Sequence, residues 1–397
     1  MIREGILRFI YQAASMQRWN DHIRPHRGFT ELDKQAHKLF YAYVIGRFEE
    51  ETDPVDWTKL IEGAIFEFLQ RILLTDIKPN IFHTLMEKHG QQINELVMEK
   101  LIGMGLNDIQ TGLSDRMRSY LLDPECSSHE KRILRASHYL ATNWEFNIVY
   151  HLSNDLFGIE QTKRNIERQL EKHQDIEGVR KLVFNSAVMD FINLVGQLRF
   201  QQRWAQTQRI PETSVAGHML IVALLSYMLS LQLNPCEKRK YNNFFAGLFH
   251  DMPEVLTRDI ISPVKNSIEG LGDLIKVIED IQMEEFLLPL LPKAWRSEIR
   301  YFTGNEFAGK IILDNKILEV SSDKINELYN EDRFSPVDGS LIEFCDKLAA
   351  YMEAYLSIKH GISSQNLEDG HKDLYMRFGK ARIAGMDLGV LFDYFRL

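Results

Sequence analysis

The stretch GLFHDMPEVLTRDIISPVK, residues 247–265, places His250 and Asp251 directly after an apolar run and shortly before Pro253. Proline lacks an amide hydrogen, clashes with the preceding helical turn and disfavours the helical conformation of the residue before it. The sequence therefore predicts a helix that begins near Asn242 and ends at His250 and Asp251. Both polar side chains would lie at the end of a buried helix, where an unpaired carboxylate is costly.

Helical periodicity dominates the rest of the chain, and alternating strand-like patterns are scarce. In the window HMLIVALLSYMLSLQL from His218, apolar side chains recur at helical spacing, while Ser226 and Ser230 lie off the apolar face. The fold class that this pattern predicts is all-α. At 397 residues the chain exceeds the size at which one hydrophobic core usually stops growing, so we expect two domains.

Composition and charge argue against several classes of protein. A hydrophobic share of 45% with 26% charged residues is typical of soluble globular proteins. The formal net charge of -9 argues against binding to nucleic acid polymers, which need a basic surface, although a nucleotide needs only a few local cations. The window from His218 is shorter than the roughly 20 residues of a membrane span. We expect a cytoplasmic protein with no membrane partner.

Short segments recur in the same order in both halves of the chain. MQRW at 16–19 recurs as QQRW at 201–204, and each is followed by a histidine that opens an apolar helix. Two further pairs align, namely 63–79 with 246–262 and 137–146 with 345–354. These matches predict two tandem copies of one domain, residues 1–182 and 183–397. Chance similarity between apolar helices is the alternative, but it does not explain the repeated Gln-Arg-Trp.

Four polar side chains of the second half interrupt apolar helical surroundings: His218, His250, Asp251 and Asp346. Each would be anomalous in a plain hydrophobic core, whereas imidazole nitrogens and carboxylate oxygens are common ligands of divalent ions. Four protein ligands leave open positions on a six-coordinate ion. The sequence therefore predicts one divalent metal ion, and manganese, cobalt, iron, magnesium, nickel and zinc all accept such ligands.

The order of these four residues resembles that of the HD-domain metal-dependent phosphohydrolases. The segments QRW, HDMPEVLTRDIISPVK and CDKLAAYMEA are similar to those of the branch that contains bacterial 5′-deoxynucleotidases, and the resemblance covers about residues 188–360. It implies that the second copy removes phosphate from a nucleotide, in particular a deoxynucleoside 5′-monophosphate, by attack of a metal-activated water. It also implies that the four residues bind the metal.

Further roles follow from the resemblance for residues that match the family motif. Glu254 would act in catalysis with Asp251, either on the attacking water or on the leaving group. Arg203 would contact the phosphate, Trp204 the nucleoside and Asp259 the sugar. Each residue also has a structural alternative, because acidic residues cap helices and because arginine and tryptophan are common in packing.

Two departures from the family pattern lie near the predicted pocket. Ala216-Gly217 replaces a Ser-Glu pair before the first histidine, and Arg258 replaces a glycine. These changes leave the substrate open. One alternative is a phosphodiesterase or triphosphohydrolase that acts on a signalling nucleotide, and another is a sensor that binds metal and nucleotide without cleaving them.

The first copy lacks a full set of metal ligands in the sequence alignment. The aligned pairs are His37 with His218, Glu67 with His250, Phe68 with Asp251 and His138 with Asp346. Because phenylalanine cannot coordinate an ion, we expect a degenerate HD-like domain, with a weak or altered metal site as the alternative. The two copies would pair as an internal pseudo-dimer, or the chain would form a homodimer.

Overall fold

The computed structural model describes residues 1–258, 268 and 270–397, and these residues are mainly helical, with two short strand pairs. This architecture confirms the predicted all-α fold class. The chain divides into two compact units. The first unit is Gly5–Arg199, and the second unit is Phe200–Leu397 together with Met1–Glu4.

The first unit is built around one long buried helix. Its helices are α1 (Glu4–Ser15), α2 (Glu31–Glu49), α3 (Trp57–Leu74), α4 (Pro79–Gly103), α5 (Leu106–Ile109), α6 (Leu113–Leu122), α7 (Ser128–Ser153), α8 (Ile159–Glu171), α9 (Glu177–Val183), α10 (Ser186–Gly196) and a 3-10 turn at Gln197–Arg199. Helix α2 packs against α7, α9 and α10, and it is buried along almost its whole length. It is therefore the core helix of this unit.

The division between the units lies at Arg199–Phe200, further along the chain than the predicted boundary near residue 183. Helix α10 packs on α2 and α9, both of which belong to the first unit. The buried guanidinium group of Arg199 donates to the carbonyl oxygen of Gly28 at 2.6 Å and pairs with the carboxylate of Glu145. These contacts tie the segment after residue 183 to the first unit.

The second unit contains the remaining helices and both strand pairs. Its helices are α11 (Val215–Ser230), α12 (Glu237–Phe249), α13 (Glu254–Thr257), α14 (Leu271–Gln282), α15 (Lys293–Thr303), α16 (Ser322–Leu328), α17 (Gly339–Lys359), α18 (Gln365–Phe378) and α19 (Val390–Asp393), with short 3-10 or π turns at Leu231–Leu233, Met283–Leu287, Leu288–Leu290 and Asp332–Phe334. Its antiparallel strand pairs are β1 (Lys310–Leu313) with β2 (Lys316–Glu319) and β3 (Arg382–Ile383) with β4 (Met386–Asp387).

Helix α11 is the core helix of the second unit, and it packs against α12 and α17. All of its residues are buried, including Ser226 and Ser230, which lie off the apolar face identified in the sequence. The buried hydroxyl of Ser230 is tolerated because it donates to the carbonyl oxygen of Tyr227 at 2.8 Å. Among the described helices, Val215–Leu233 has the length and hydropathy of a membrane span, but 94% of that window is buried inside the protein.

Helix α12 ends where the sequence predicts, at Phe249, with His250 as its C-cap. It begins at Glu237, earlier than the predicted Asn242. The start was missed because Arg239 and Tyr241 are buried although the residues before Asn242 are mostly polar in sequence.

Gly247 allows a close approach between α11 and α12. A Cβ atom at this position would lie 2.9 Å from the Cα atom of Ala223 and 3.1 Å from its backbone nitrogen. We therefore expect Gly247→Ala to lower the free energy of unfolding by about 1–3 kcal/mol, since rigid backbone must move apart. Denaturant titration of the full chain measures this effect. The control is Gly103→Ala, where a Cβ would meet nothing within 4 Å, and equal losses in both variants would contradict the packing argument.

Candidate metal centre

Three helices deliver the predicted ligands to one place in the second unit. His218 lies in the first turns of α11, whose N-cap Ser214 accepts a hydrogen bond from the backbone of Gly217 at 2.9 Å. His250 is the C-cap of α12, and Asp346 lies within α17. Ligand atoms of these three buried residues all lie within 4.8 Å of one another.

Asp251 joins the same cluster. Its Oδ2 lies 3.2 Å from Nε2 of His250 and 3.9 Å from Nε2 of His218. Nε2 of His218 in turn lies 2.9 Å from Oδ1 of Asp346. The structure thus brings together all four side chains that the sequence analysis singled out.

The electrostatics of the cluster favour ionised carboxylates. Burial opposes ionisation of Asp251, but the neighbouring His250 and Arg203 outweigh it and hold the pKa of Asp251 below its usual value. Burial acts in the same way on Asp346, yet Lys347 and His218 hold its pKa well below the usual value. Nζ of Lys347 lies 2.7 Å from Oδ2 of Asp346. Both carboxylates can therefore offer negative oxygens at neutral pH.

The donor set fits a divalent ion. Nδ1 of His250 lies 2.8 Å from the carbonyl oxygen of Gly247, to which it can only donate, so Nε2 of the neutral imidazole can offer its lone pair. A backbone carbonyl that orients a ligating histidine in this way is a common feature of protein metal sites. Two imidazoles and two anionic carboxylates in a buried position suit manganese, iron, cobalt, nickel, zinc or magnesium.

Arg203 and Trp204, which the sequence analysis assigns to the phosphate and the nucleoside, lie beside this cluster. Nη1 of Arg203 lies 3.2 Å from Oδ2 of Asp251, and Nη2 lies 3.8 Å from Oδ1 of Asp346. The indole nitrogen of Trp204 donates to Oε2 of Glu353 at 3.1 Å, and its ring lies against Gly370. The cationic group of Arg203 is therefore held at the edge of the metal centre.

Glu353 is a component of the site that the sequence analysis missed. It is 2% exposed and lies in α17, two helical turns after Asp346. Its Oε1 accepts a hydrogen bond from the hydroxyl of Thr213 at 2.8 Å and lies 3.7 Å from Nδ1 of His218. Burial opposes its ionisation, but Arg209 and His218 hold its pKa below the usual value. The seven-residue spacing from Asp346 places both on one helical face and was the available signal.

We expect Glu353→Gln to weaken metal binding by about 10–100-fold, because a carboxylate that orients a ligating histidine also raises its basicity. The affinity is measured by metal competition with a chelating dye on the full chain. The matched control is Glu327→Gln, the same change at an exposed residue of α16. Equal affinities in the two variants would show that Glu353 does not support the ligand.

Glu254 and Asp259 are the two remaining predicted site residues. Glu254 is buried and begins α13, and its backbone N–H donates to the carbonyl oxygen of Asp251 at 3.1 Å. The turn therefore keeps Glu254 adjacent to a predicted metal ligand. Asp259 lies outside the described residues.

Arg258, which stands where the family has glycine, adopts a backbone conformation that favours glycine. Its φ is 67° and its ψ is 160°. We expect Arg258→Gly to raise the free energy of unfolding by about 1 kcal/mol, since non-glycine residues are strained there. Thermal and denaturant unfolding measure the change. Lys372→Gly, in the middle of α18, should have the opposite sign, and a loss of stability in both variants would contradict the strain at Arg258.

The comparison with known proteins agrees with this geometry. Residues 195–375 match the family model described as HD domain. Three similar proteins are each called 5′-deoxynucleotidase. The relative from Vibrio atlanticus is 29% identical over 123 residues, 30% of this chain and 63% of the relative. That from Photobacterium profundum is 28% identical over 111 residues, 27% of this chain and 57% of the relative. That from Yersinia pestis is 22% identical over 178 residues, 43% of this chain and 75% of the relative.

The chain covers less than two thirds of the length of the first two relatives, at 63% and 57%. The matched region nevertheless contains the whole cluster of His218, His250, Asp251 and Asp346. The resemblance inferred from the sequence is thereby confirmed. Residues 195–375 match the HD-domain family model, and this part of the chain is similar to proteins called 5′-deoxynucleotidase.

Proposed function

We propose that the second unit is a divalent-metal-dependent phosphohydrolase that removes phosphate from a nucleotide, with a deoxynucleoside 5′-monophosphate as its substrate. The observation that supports this proposal is the convergence of His218, His250, Asp251 and Asp346 in one buried cluster. The names of the similar proteins support the choice of substrate.

His218, His250, Asp251 and Asp346 would hold the ion. When bound, a divalent ion lowers the pKa of a coordinated water toward neutrality and neutralises charge on phosphoryl oxygens. Arg203, at the edge of the cluster, would donate its N–H groups to the phosphate oxygens, which are matched by the planar guanidinium fork. Glu254 would take the proton from the attacking water or deliver one to the leaving oxygen.

Hydrolysis at such a site needs no side-chain nucleophile. Phosphoryl transfer depends mainly on positioning and on stabilisation of charge. In this proposal Trp204 lies by the nucleoside and Asp259 helps to recognise the sugar. Trp204 is well suited to a fixed position, because its indole nitrogen is anchored on the buried carboxylate of Glu353.

The test is a substrate panel assayed with manganese, cobalt, iron, magnesium, nickel and zinc. Deoxynucleoside and ribonucleoside 5′-monophosphates, cyclic and linear dinucleotides and deoxynucleoside triphosphates are each incubated with the full chain. We expect inorganic phosphate from the deoxynucleoside monophosphates. The His250→Ala variant, purified identically, controls for contaminating phosphatases.

Other outcomes of the panel would replace the proposal. Cleavage confined to diesters would identify a phosphodiesterase, and release of triphosphate would identify a triphosphohydrolase. Binding of metal and nucleotide without turnover across all six metals would identify a sensor.

The cytoplasmic location and the pairing of two copies within one chain stay predictions. A species of 46.4 kDa in sedimentation experiments would favour internal pairing over a homodimer.

A further inference from the structure

The first unit repeats the backbone contacts that surround the metal centre of the second unit. In each unit, the QRW segment forms an isolated antiparallel bridge to the N-cap residue of the core helix. The bridged pairs are Gln17–Thr30 and Gln202–Ser214. The tryptophan of each segment has a positive φ, 58° at Trp19 and 56° at Trp204. Positive φ is uncommon for bulky residues, so its recurrence points to one shared backbone frame.

The side-chain contacts of the two QRW segments also correspond. The indole nitrogen of Trp19 donates to Oε2 of Glu145 at 2.9 Å, as that of Trp204 donates to Oε2 of Glu353 at 3.1 Å. Nε of Arg18 lies 2.9 Å from the same Glu145 oxygen. Glu145 is fully buried, like its counterpart in the second unit.

This frame identifies Lys34 as the counterpart of His218. Each lies four residues after the bridged N-cap, Thr30 or Ser214. Nζ of Lys34 contacts Nδ1 of His138, in the place where Nε2 of His218 contacts Oδ1 of Asp346. The sequence alignment had instead paired His37 with His218.

His37 lies away from this position. Its Nε2 lies 3.2 Å from the carbonyl oxygen of Ile192, and its Nδ1 lies 3.4 Å from Nη1 of Arg199. Burial and the charge of Arg199 hold its pKa well below the usual value. These contacts explain His37 as a neutral histidine of the hydrophobic core.

The surroundings of Lys34 are unsuited to a divalent ion. Lys34 and Lys38 are 0% and 1% exposed, and Nζ of Lys38 pairs with the carboxylate of Glu67. That carboxylate also accepts a hydrogen bond from the hydroxyl of Tyr120 at 2.7 Å. Phe68, aligned with Asp251, offers no donor atom. A divalent ion in the first unit would therefore meet one carboxylate already bound by a lysine and a tyrosine, and a phenylalanine in place of the second carboxylate.

The charges around His138 also disfavour the binding of a divalent ion in the first unit. Burial lowers its pKa, and four cationic groups lower it further: Lys34, Lys38, Arg18 and Arg71. In the second unit, the carboxylate of Asp346 lies at the matching place. Burial also lowers the pKa of Lys34 well below its usual value, so the repulsion that would oppose a divalent ion here comes from Lys38, Arg18 and Arg71.

We propose that the side chain of Lys34 takes the place of the metal ion in the first unit. The described part of the first unit thereby keeps the QRW contacts without a metal ion, and the divalent ion binds in the second unit. This inference rests on the contacts of the first unit and does not require the second unit to hydrolyse a nucleotide.

Metal content of the full chain tests the proposal directly. The protein is stripped with a chelator, reloaded with cobalt or manganese, desalted and analysed by mass spectrometry of the metal. We expect one ion per chain in the wild type and none in His250→Ala. Two ions in the wild type, or one ion that persists in His250→Ala, would overturn the proposal.

A gain of metal binding provides the second test. Lys34→His and Phe68→Asp would add one imidazole and one carboxylate to the existing His138 and Glu67, which makes two of each. We expect this double variant to bind one ion more than the protein without the two substitutions. This difference should be present whether or not a metal ion is bound in the second unit. The matched control, Phe68→Asp alone, should hold no additional ion because Lys34 is still present.

The gain experiment has two outcomes that contradict the inference. One is an additional ion in the Phe68→Asp control, and the other is a double variant with native circular dichroism that gains none. Should the double variant fail to fold, the metal content of His250→Ala still decides between the alternatives.

Discussion

Asp251→Ala is expected to lose the bound metal ion and at least about a thousandfold in the rate of phosphate release from a deoxynucleoside monophosphate. A single charge-stabilising donor is already worth about 10²–10³ in rate, and this variant removes an anionic oxygen that approaches two imidazoles. The side chain of Asp251 is 20% exposed, so the helical fold should survive its truncation. Metal content, phosphate release and circular dichroism of the full chain measure these effects.

The control for this variant is Asp280→Ala, the same truncation at an exposed residue of α14. It should retain the metal and the activity of the wild type. Unchanged turnover in Asp251→Ala would refute the assignment of the metal centre. Loss of helicity in parallel with activity would show instead that Asp251 supports the fold.

Asp338→Ala is expected to lower the free energy of unfolding of the second unit by about 3–5 kcal/mol, since it leaves a buried charge without its partner. Nε and Nη2 of Arg239 lie 2.7 and 2.9 Å from the two carboxylate oxygens of Asp338, and both residues are 0% exposed. Asn243 adds a donor at 2.8 Å. Denaturant unfolding monitored by circular dichroism measures the loss.

The matched control is the exposed pair Arg382–Asp387, whose side chains are 77% and 54% exposed. Asp387→Ala should change the stability by less than about 1 kcal/mol, because water screens such pairs. A double variant, Arg239→Met with Asp338→Leu, should recover part of the loss, as apolar replacements of buried ion pairs often do. Similar small losses in Asp338→Ala and Asp387→Ala would mean that the buried network does not stabilise the second unit.

This network also bears on the site. Arg239 and Asn243 lie in α12, whose C-cap is His250, and Asp338 precedes α17, which carries Asp346. The pairing therefore holds together two of the helices that supply ligands. We expect Asp338→Ala to weaken both metal binding and the stability of the fold. Asp251→Ala, in contrast, should lose metal binding while its stability is largely retained.

Several features could be predicted from the residues because their causes are local. Pro253 ends α12 wherever the helix lies in space, so the position of His250 and Asp251 at a helix end followed from covalent geometry. The predicted ligands were also recognisable individually, since a histidine or aspartate in an apolar helical segment needs a partner. Their convergence, now seen in the contacts of Asp251 and Asp346, was a hypothesis from the residue types and from the resemblance.

Other features depend on the register of helices and were missed. Alignment of apolar residues paired His37 with His218, although the N-caps Thr30 and Ser214 pair Lys34 with it. A shift of three residues keeps a side chain close to the same helical face, so apolar periodicity alone does not distinguish the two alignments. The role of Glu353 was missed for a related reason, because its partners come from distant segments of the chain.

The sequence by itself determined that this protein is helical, where the ligand-bearing helix α12 ends, and which residue types could bind an ion. These properties depend on backbone sterics, helical periodicity and donor chemistry, all of which act over a few residues. Only the tertiary structure decided which buried side chains come into contact with one another in each unit. Helix packing places His218 against Asp346 in the second unit and Lys34 against His138 in the first, and a contact between residues so far apart in the chain is determined by packing rather than by local sequence.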